Sequence, residues 1–261
     1  MLGAIVGDVI GSVYEGTATK TKDFPLFVPR STFTDDSVLT VAVADWILSG
    51  RDLVDLLHDY ALTYPGRGYG GMFQEWAGQR LREPYNSFGN GAAMRVSPIG
   101  FAFDNLNDVL TWAERSAAVT HNHPEGIRGA QASAAAVFLA RQGQTKDAIR
   151  DTLHSLFGYD LDLRLDEIRP RYQFDVTCQG TVPQALAAFF EPTDFEDAIR
   201  NAISLGGDAD TLACITGGIS EAFYGGIPQN LEARTRAMLD ERLVAVVDRF
   251  RQKFGIVSHS A

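Results

Sequence analysis

Cysteine is nearly absent from this chain. Cys178 and Cys214 are the only two in 261 residues, far apart and in no C-x-x-C pattern. That excludes a disulfide framework and a thiolate metal site, and it points to a reducing compartment. Basic charge is also short: 23 Lys and Arg stand against 33 Asp and Glu, for a formal net charge of −10. Such a balance argues against a nucleic-acid backbone as the main partner. It leaves small anionic ligands open, because a local pocket can differ from the mean field. No run approaches the ~18 uninterrupted apolar residues of a membrane span. The opening "MLGAIVGDVIGS" is apolar but lacks a basic leader and is interrupted by Asp8, so it does not read as a signal peptide. The broad expectation is a soluble cytoplasmic globular protein, with 45% hydrophobic residues to build its core.

Period-two strand patterns are scarce too, and helical periodicity dominates. Val38, Val41, Ala42 and Trp46 fall on one stripe, widened by Leu39, Val43 and Ile47. Similar stripes recur over 106–119, 126–142, 182–191, 195–205, 210–226 and 242–254. Ala130, Ala132, Ala134, Ala135 and Ala136 crowd one of these helices and permit close helix–helix approach. The stretch "RPRYQFDVTCQG" (169–180) is the least helical and reads as a loop or a short extended piece. No linker or internal repeat divides the chain, so residues 1–261 are expected to form a single all-α domain with a core of crossing helices. Gly-rich turns at 64–73, 86–95 and 204–211 join helical segments and can offer backbone N–H groups at helix N-termini.

Two acidic stretches stand immediately before long apolar runs: "TDDS" at 34–37 and "DADT" at 208–211. Capping chemistry accounts for either alone. Asp, Ser and Thr are preferred N-caps worth about 1 kcal/mol each, and the helix dipole favours acids in the first turn. Yet one Asp suffices as a cap, and Asp36 beside Asp35 adds like-charge repulsion. Together the motifs bring Asp35, Asp36, Asp208 and Asp210 with the hydroxyls of Thr34, Ser37 and Thr211. This set of hard oxygens suits Mg²⁺ or Mn²⁺ and suits zinc poorly. A pair of metals about 4 Å apart could share one carboxylate. Successive helical residues turn by about 100°, so Asp208 and Asp210 converge only if Asp208 lies in the preceding turn, which Gly206 and Gly207 make easy. Whether capping or metal binding prevails depends on the two motifs meeting in space.

Five blocks now form a pattern: "GAIVGDVIGSVYE" (3–15), "FTDDSVLT" (33–40), "GNGAAMRVSPIG" (89–100), "TH" (120–121) and "LGGDADTLACITGGISEAFYG" (205–225). In order and spacing they resemble the ADP-ribosylglycohydrolase family, and the resemblance covers nearly the whole chain. It implies an all-α orthogonal bundle with a binuclear centre of two Mg²⁺ or Mn²⁺ ions. Carried over position by position, Thr34, Asp35 and Asp36 ligate one metal, Asp208 and Thr211 hold the other, and Asp210 bridges or contacts both. Glu15 matches an acidic residue that guards the scissile bond; by itself it reads as a solvated Glu at a helix end. Ser87, Phe88, Gly89, Asn90 and Gly91 match the loop that holds ADP-ribose, with Gly70 and Gly71 in a second Gly-rich substrate loop. Glycines there would let backbone N–H groups approach a pyrophosphate. His121 matches a ribose or phosphate contact, although a lone histidine is more often structural. His123 has the weaker claim, and Met94 and Arg95 are expected to pack rather than bind.

The reaction so implied is hydrolysis of the bond between ribose C1″ and an acceptor atom, with ADP-ribose, or a protein or small molecule carrying it, as the partner. Glu15 is the candidate to position or deprotonate water, and Asp35 is the other. Two rivals stand beside this: a di-magnesium phosphohydrolase acting on nucleotide anhydrides, and a non-enzymatic scaffold. Clustered carboxylates argue against a purely structural role. The acceptor is not legible; variable segments such as 164–175 are where it would be contacted. A monomer is the expected state.

Overall fold

The computed structural model describes residues 1–256. In chain order its helices are α1 (Leu2–Gly11), α2 (Asp35–Ser49), α3 (Leu53–Thr63), α4 (Gly71–Gly78) and α5 (Gly91–Met94). Next come α6 (Ser97–Ala102), α7 (Leu106–Ala118), α8 (Pro124–Arg141), α9 (Lys146–Phe157) and α10 (Leu165–Ile168). The chain continues through α11 (Cys178–Phe190), α12 (Phe195–Ser204), α13 (Ala209–Tyr224), α14 (Gln229–Arg236) and α15 (Glu241–Lys253). Among the described residues there is no strand, only an isolated antiparallel bridge between Gly89 and Thr177. None of the described helices is long and apolar enough to cross a membrane. The fold is all-α, as the 3.6-residue periodicity predicts.

The centre of the molecule is the crossing of α1 with α13, and glycine makes it possible. A Cβ on Gly7 would sit 2.0 Å from the Ala213 carbonyl oxygen, and one on Gly217 would sit 2.2 Å from that of Gly3. With no side chains between them the two backbones touch, so every residue of α1 is buried. This contact also brings the end of α1 beside the start of α13: a Cβ on Gly11 would lie 2.5 Å from the Asp210 Cα. Around this pair α2, α8, α11 and α12 pack into one contiguous apolar cluster. The alanine-rich α8 lies close to α6, where a Cβ on Gly100 would meet the Ala134 carbonyl oxygen at 2.7 Å. Trp46 of α2 reaches Trp112 of α7, with ring centroids 4.5 Å apart.

The segment 169–180 departs in part from its expected loop. Cys178, Gln179 and Gly180 already belong to α11, because the Thr177 hydroxyl accepts from the Gly180 N–H at 3.0 Å and starts the helix early. Pro183, the sixth residue of this helix, removes one i→i−4 bond, yet the helix runs through it to Phe190.

Candidate metal centre and ligand cavity

The first turn of α2 shows what its two aspartates are not doing. Asp8, from α1, caps this helix from outside. Its carboxylate accepts from the Thr34 N–H at 3.0 Å, the Thr34 hydroxyl at 2.6 Å, the Ser37 N–H at 3.1 Å and the Ser37 hydroxyl. Thr34 is the N-cap, its hydroxyl oxygen accepting from the Asp36 N–H at 3.3 Å. The Asp35 N–H donates to the Arg67 carbonyl at 2.8 Å. The helix start is therefore satisfied without either the Asp35 or the Asp36 side chain. The Asp36 Oδ2 has only long contacts, from the Thr34 and Thr211 hydroxyls at 3.4 and 3.3 Å. Its Oδ1 is buried with no hydrogen-bond partner. A buried, unpartnered carboxylate oxygen is costly unless something else satisfies it.

The second acidic start arrives at the same place. Gly206 and Gly207 take φ of +71° and +74°, a left-handed turn that sets Asp208 just before α13 and Asp210 in its first turn. Asp208 accepts from the Asn90 side-chain amide at 2.7 Å, and Asp210 from the Thr211 N–H at 3.0 Å. Carboxylate oxygens of Asp8, Asp36 and Asp210 lie within 4.8 Å of one another, and so do those of Glu15, Asp208 and Asp210. Asp210 belongs to both groups. Two clusters of hard oxygen ligands sharing a carboxylate fit a pair of divalent cations.

The electrostatics agree with that fit. Burial is the main force raising the carboxyl pKa of Asp8, Asp35, Asp36, Asp208 and Asp210 above the usual carboxylate range, and neighbouring carboxylates add to it for Asp35, Asp36 and Asp210. Glu15, more exposed, is raised by partial burial and then by Asp208 and Asp8. Two unit charges about 4 Å apart repel by about 4 kcal/mol at an effective dielectric constant of 20. Protons or cations must neutralise such a cluster.

The carboxylates form the floor of a cavity of about 470 Å³. Glu15, Asp35, Asp36, Asp208, Asp210 and Thr211 line it, as do Gly70, Gly71, Ser87, Gly89, Asn90, Gly91 and His121. Two of the sequence candidates are placed elsewhere. Thr34 is not part of the lining; its hydroxyl donates to Asp8 at 2.6 Å, which leaves the oxygen's lone pairs free to coordinate a cation. Phe88 is 43% exposed and leans on His123, with ring centroids 5.2 Å apart. His123 is the N-cap of α8, its Nδ1 accepting from the Glu125 N–H at 3.1 Å. Asn90 is largely committed: its amide donates to Thr181 at 3.1 Å as well as to Asp208, leaving its oxygen for a ligand.

His121 is buried behind the 87–91 loop and supported from below. The fully buried Arg95 donates through Nη2 to the Ser116 carbonyl at 2.6 Å and to the Thr120 hydroxyl at 2.9 Å. Thr120 Oγ1 lies 2.7 Å from His121 Nδ1. With the hydroxyl oxygen accepting from Arg95, its own proton is free to go to Nδ1, and that arrangement puts the ring hydrogen on Nε2. Burial, followed by the Arg95 charge, pushes the His121 pKa well down and keeps the ring neutral. A Cβ on Gly91 would lie 3.3 Å from Nε2, so this donor faces the glycine loop at close range.

Sequence reasoning missed Asp8, which sits in an apolar helix and reads there as an interruption. It also missed Phe174 and Val176, exposed apolar residues that line the same cavity. Only the burial of Asp8 within an otherwise apolar run could have signalled its role.

Comparison with known proteins adds relatives to this geometry. A family model described as ADP-ribosylglycohydrolase matches residues 1–257. The ADP-ribosylhydrolase ARH3 of Homo sapiens is 29% identical, with 86% of this chain and 84% of that protein covered. The ADP-ribosylarginine hydrolase Tri1 of Pseudomonas putida (strain GB-1) is 24% identical over 86% of this chain and 69% of its own length. A solved structure described as an ADP-ribosylglycohydrolase-related protein complex superimposes with a TM-score of 0.70 at 28% identity, covering 95% of each chain.

Proposed function

Because this chain belongs to the ADP-ribosylglycohydrolase family and is an enzyme acting on ADP-ribose linkages, we propose that it is a divalent-cation-dependent hydrolase releasing ADP-ribose from a modified side chain or small conjugate. The observation that supports this most is the convergence of Asp8, Asp36 and Asp210 beneath a glycine-lined cavity, with the Asp36 Oδ1 left without a partner. Asp35, Asp36, Asp208, Asp210 and Thr211, with the Thr34 hydroxyl oxygen, would hold two Mg²⁺ or Mn²⁺ ions, and Asp8, whose carboxylate already accepts from Thr34 and Ser37, would back the site. Such ions, when bound, supply Lewis-acid polarisation and orient ribose hydroxyls and water.

The chain's own residues do the rest. The backbone N–H groups of Gly70, Gly71 and Gly91 receive the pyrophosphate, where glycines allow close approach, while those of Gly89 and Asn90 hold the loop in shape by donating to Ser87 Oγ and the Val176 carbonyl. His121 presents its Nε2–H to a ligand oxygen as a neutral donor. Asn90 fixes the orientation of Asp208. Glu15 reaches Asp208 and Asp210 from the open side of the cavity, with its pKa raised. It is the carboxylate on the open side of the cavity, placed to accept the proton of the attacking water. The water oxygen then bonds to C1″, the C1″–acceptor bond breaks, and its electron pair leaves with the acceptor, which takes up a proton. Positive charge developing on the ribose is stabilised by the surrounding carboxylates.

Product analysis tests this reading. Incubating the Mg²⁺-loaded enzyme with ADP-ribosylated substrates should yield free ADP-ribose, and a chelator should stop the release. AMP or inorganic phosphate as the product would replace this reading with that of a phosphohydrolase.

A further inference from the structure

A second cavity of about 620 Å³ adjoins the first, and Phe174 lines both. Its other walls include Gly16 and Lys20 from the segment after α1, Arg171 and Tyr172 from the segment before α11, and Gly207. Two of these residues adjoin the reacting carboxylates in the chain: Gly16 follows Glu15, and Gly207 precedes Asp208. The Gly16 N–H donates to the Gly207 carbonyl at 2.8 Å, which ties together the segments that carry Glu15 and Asp208 at the wall of the second cavity. A Cβ on Gly207 would lie 2.9 Å from the Tyr172 ring and 3.0 Å from the Gln173 carbonyl oxygen, so this wall is packed with no side chain at 207.

The charge of this cavity is the reverse of the molecule's. In a chain of net charge −10, its lining carries Lys20 and Arg171 and no Asp or Glu. The Lys20 ammonium is anchored on the Tyr172 carbonyl at 2.7 Å and on that of Leu205, which ties the two walls together. Arg171 is exposed; its Nε donates to the Glu167 carbonyl at 3.1 Å, and its terminal nitrogens carry no hydrogen bond among the described residues. Those nitrogens are available for the forked contacts that guanidinium groups make with phosphate. Tyr172 and Phe174 offer apolar faces beside them.

We propose that the second cavity receives the group beyond the scissile bond, and that it favours an acceptor bearing phosphate over one bearing a cationic guanidinium. This rests on the hydrolase reading of the first cavity. The bond to be cut lies over Glu15, Asp208 and Asp210, and the adjoining space, which shares Phe174 with the first cavity and is walled by chain neighbours of those carboxylates, is cationic. A phosphate there gains from Arg171 and Lys20, and a guanidinium meets like charge.

The test compares two substrates on the Mg²⁺-loaded enzyme. In one, C1″ of ADP-ribose is joined to the guanidino group of arginine; in the other, it is joined to a ribose hydroxyl of a nucleoside monophosphate. Wild type should show the higher kcat/KM on the phosphate-bearing acceptor. Arg171→Glu should lower the ratio of the two kcat/KM values roughly tenfold at low salt, Arg171→Ala should fall between, and added salt should shrink the difference. Arg171 is exposed, so both variants keep the fold. A ratio that stays fixed in both variants, or a wild-type preference for the arginine conjugate, overturns the proposal. If wild type releases ADP-ribose from neither substrate, the reading of the first cavity fails, and this inference falls with it.

Discussion

Replacing Asp36 with Asn should make the metal-free protein more stable, against the usual expectation for a buried helix-start residue. Asp36 is 2% exposed, but the hydrogen bonds that start α2 run through Asp8 and Thr34. What Asn removes is a buried charge that faces Asp8 and Asp210, not a cap. One such pair repels by up to about 4 kcal/mol at 4 Å and an effective dielectric constant of 20. Proton uptake already relieves part of that, so a net gain of about 1–2 kcal/mol is the reasonable figure at neutral pH. For a chain of this size each kcal/mol moves Tm by roughly 2–4 °C, so Tm in a chelator should rise by several degrees. The sign of the pH dependence follows from the raised folded-state pKa. At these groups the native state binds more protons than the unfolded one, so their contribution to apo stability is fully present below the unfolded carboxylate range and is lost as pH rises through the raised values. Each proton contributes a slope of up to about 1.4 kcal/mol per pH unit, and Asp36→Asn should flatten it. The assay is thermal unfolding followed by circular dichroism across pH, with and without Mg²⁺. A lower Tm for Asp36→Asn in chelator would refute the reasoning and return this residue to capping. Added Mg²⁺ should stabilise wild type and leave the variant nearly unmoved.

Gly7→Ala places a methyl 2.0 Å from the Ala213 carbonyl oxygen and should cost several kcal/mol or prevent folding, as overpacking at a rigid helix crossing does; chemical denaturation reads it. Thr120→Val removes the hydroxyl between Arg95 and His121 and should release the ring from its single tautomer, visible in imidazole nitrogen shifts, with ADP-ribose affinity down roughly tenfold for the loss of a buried donor. Unchanged shifts would show that the tautomer is set elsewhere. Glu15→Gln should lower kcat by about 100-fold or more while ADP-ribose still binds, since general-base contributions run about 10²–10⁴; an equal loss in both would make Glu15 a binding residue.

What the sequence reveals depends on whether chemistry and periodicity point the same way. The carboxylates of 34–37 and 208–211 stand out because they interrupt nothing: each precedes an apolar run and reads as a helix start. The left-handed turn that lets Asp208 join Asp210 follows from two adjacent glycines. By contrast, α1 is buried on every side, so it has no polar face to give a helical period, and its lone acid looked only like a break in an apolar segment. That Asp8 faces the start of α2 depends on where α13 presses on Gly3 and Gly7, a long-range contact that no local pattern encodes. Phe88 is a similar case: its loop was legible, but the outward direction of its ring is set by packing on His123.

The central claim is that two distant acidic helix starts act as one cation-dependent site for ADP-ribose. Calorimetric titration of ADP-ribose, with and without Mg²⁺, into wild type and Asp210→Ala tests it most directly, because Asp210 belongs to both carboxylate clusters. Mg²⁺-dependent binding by wild type that disappears in Asp210→Ala, while the variant keeps its helical circular-dichroism signal, is the predicted result. Binding of equal strength with and without Mg²⁺, or equal in both proteins, would contradict the account and leave the aspartates without a shared function.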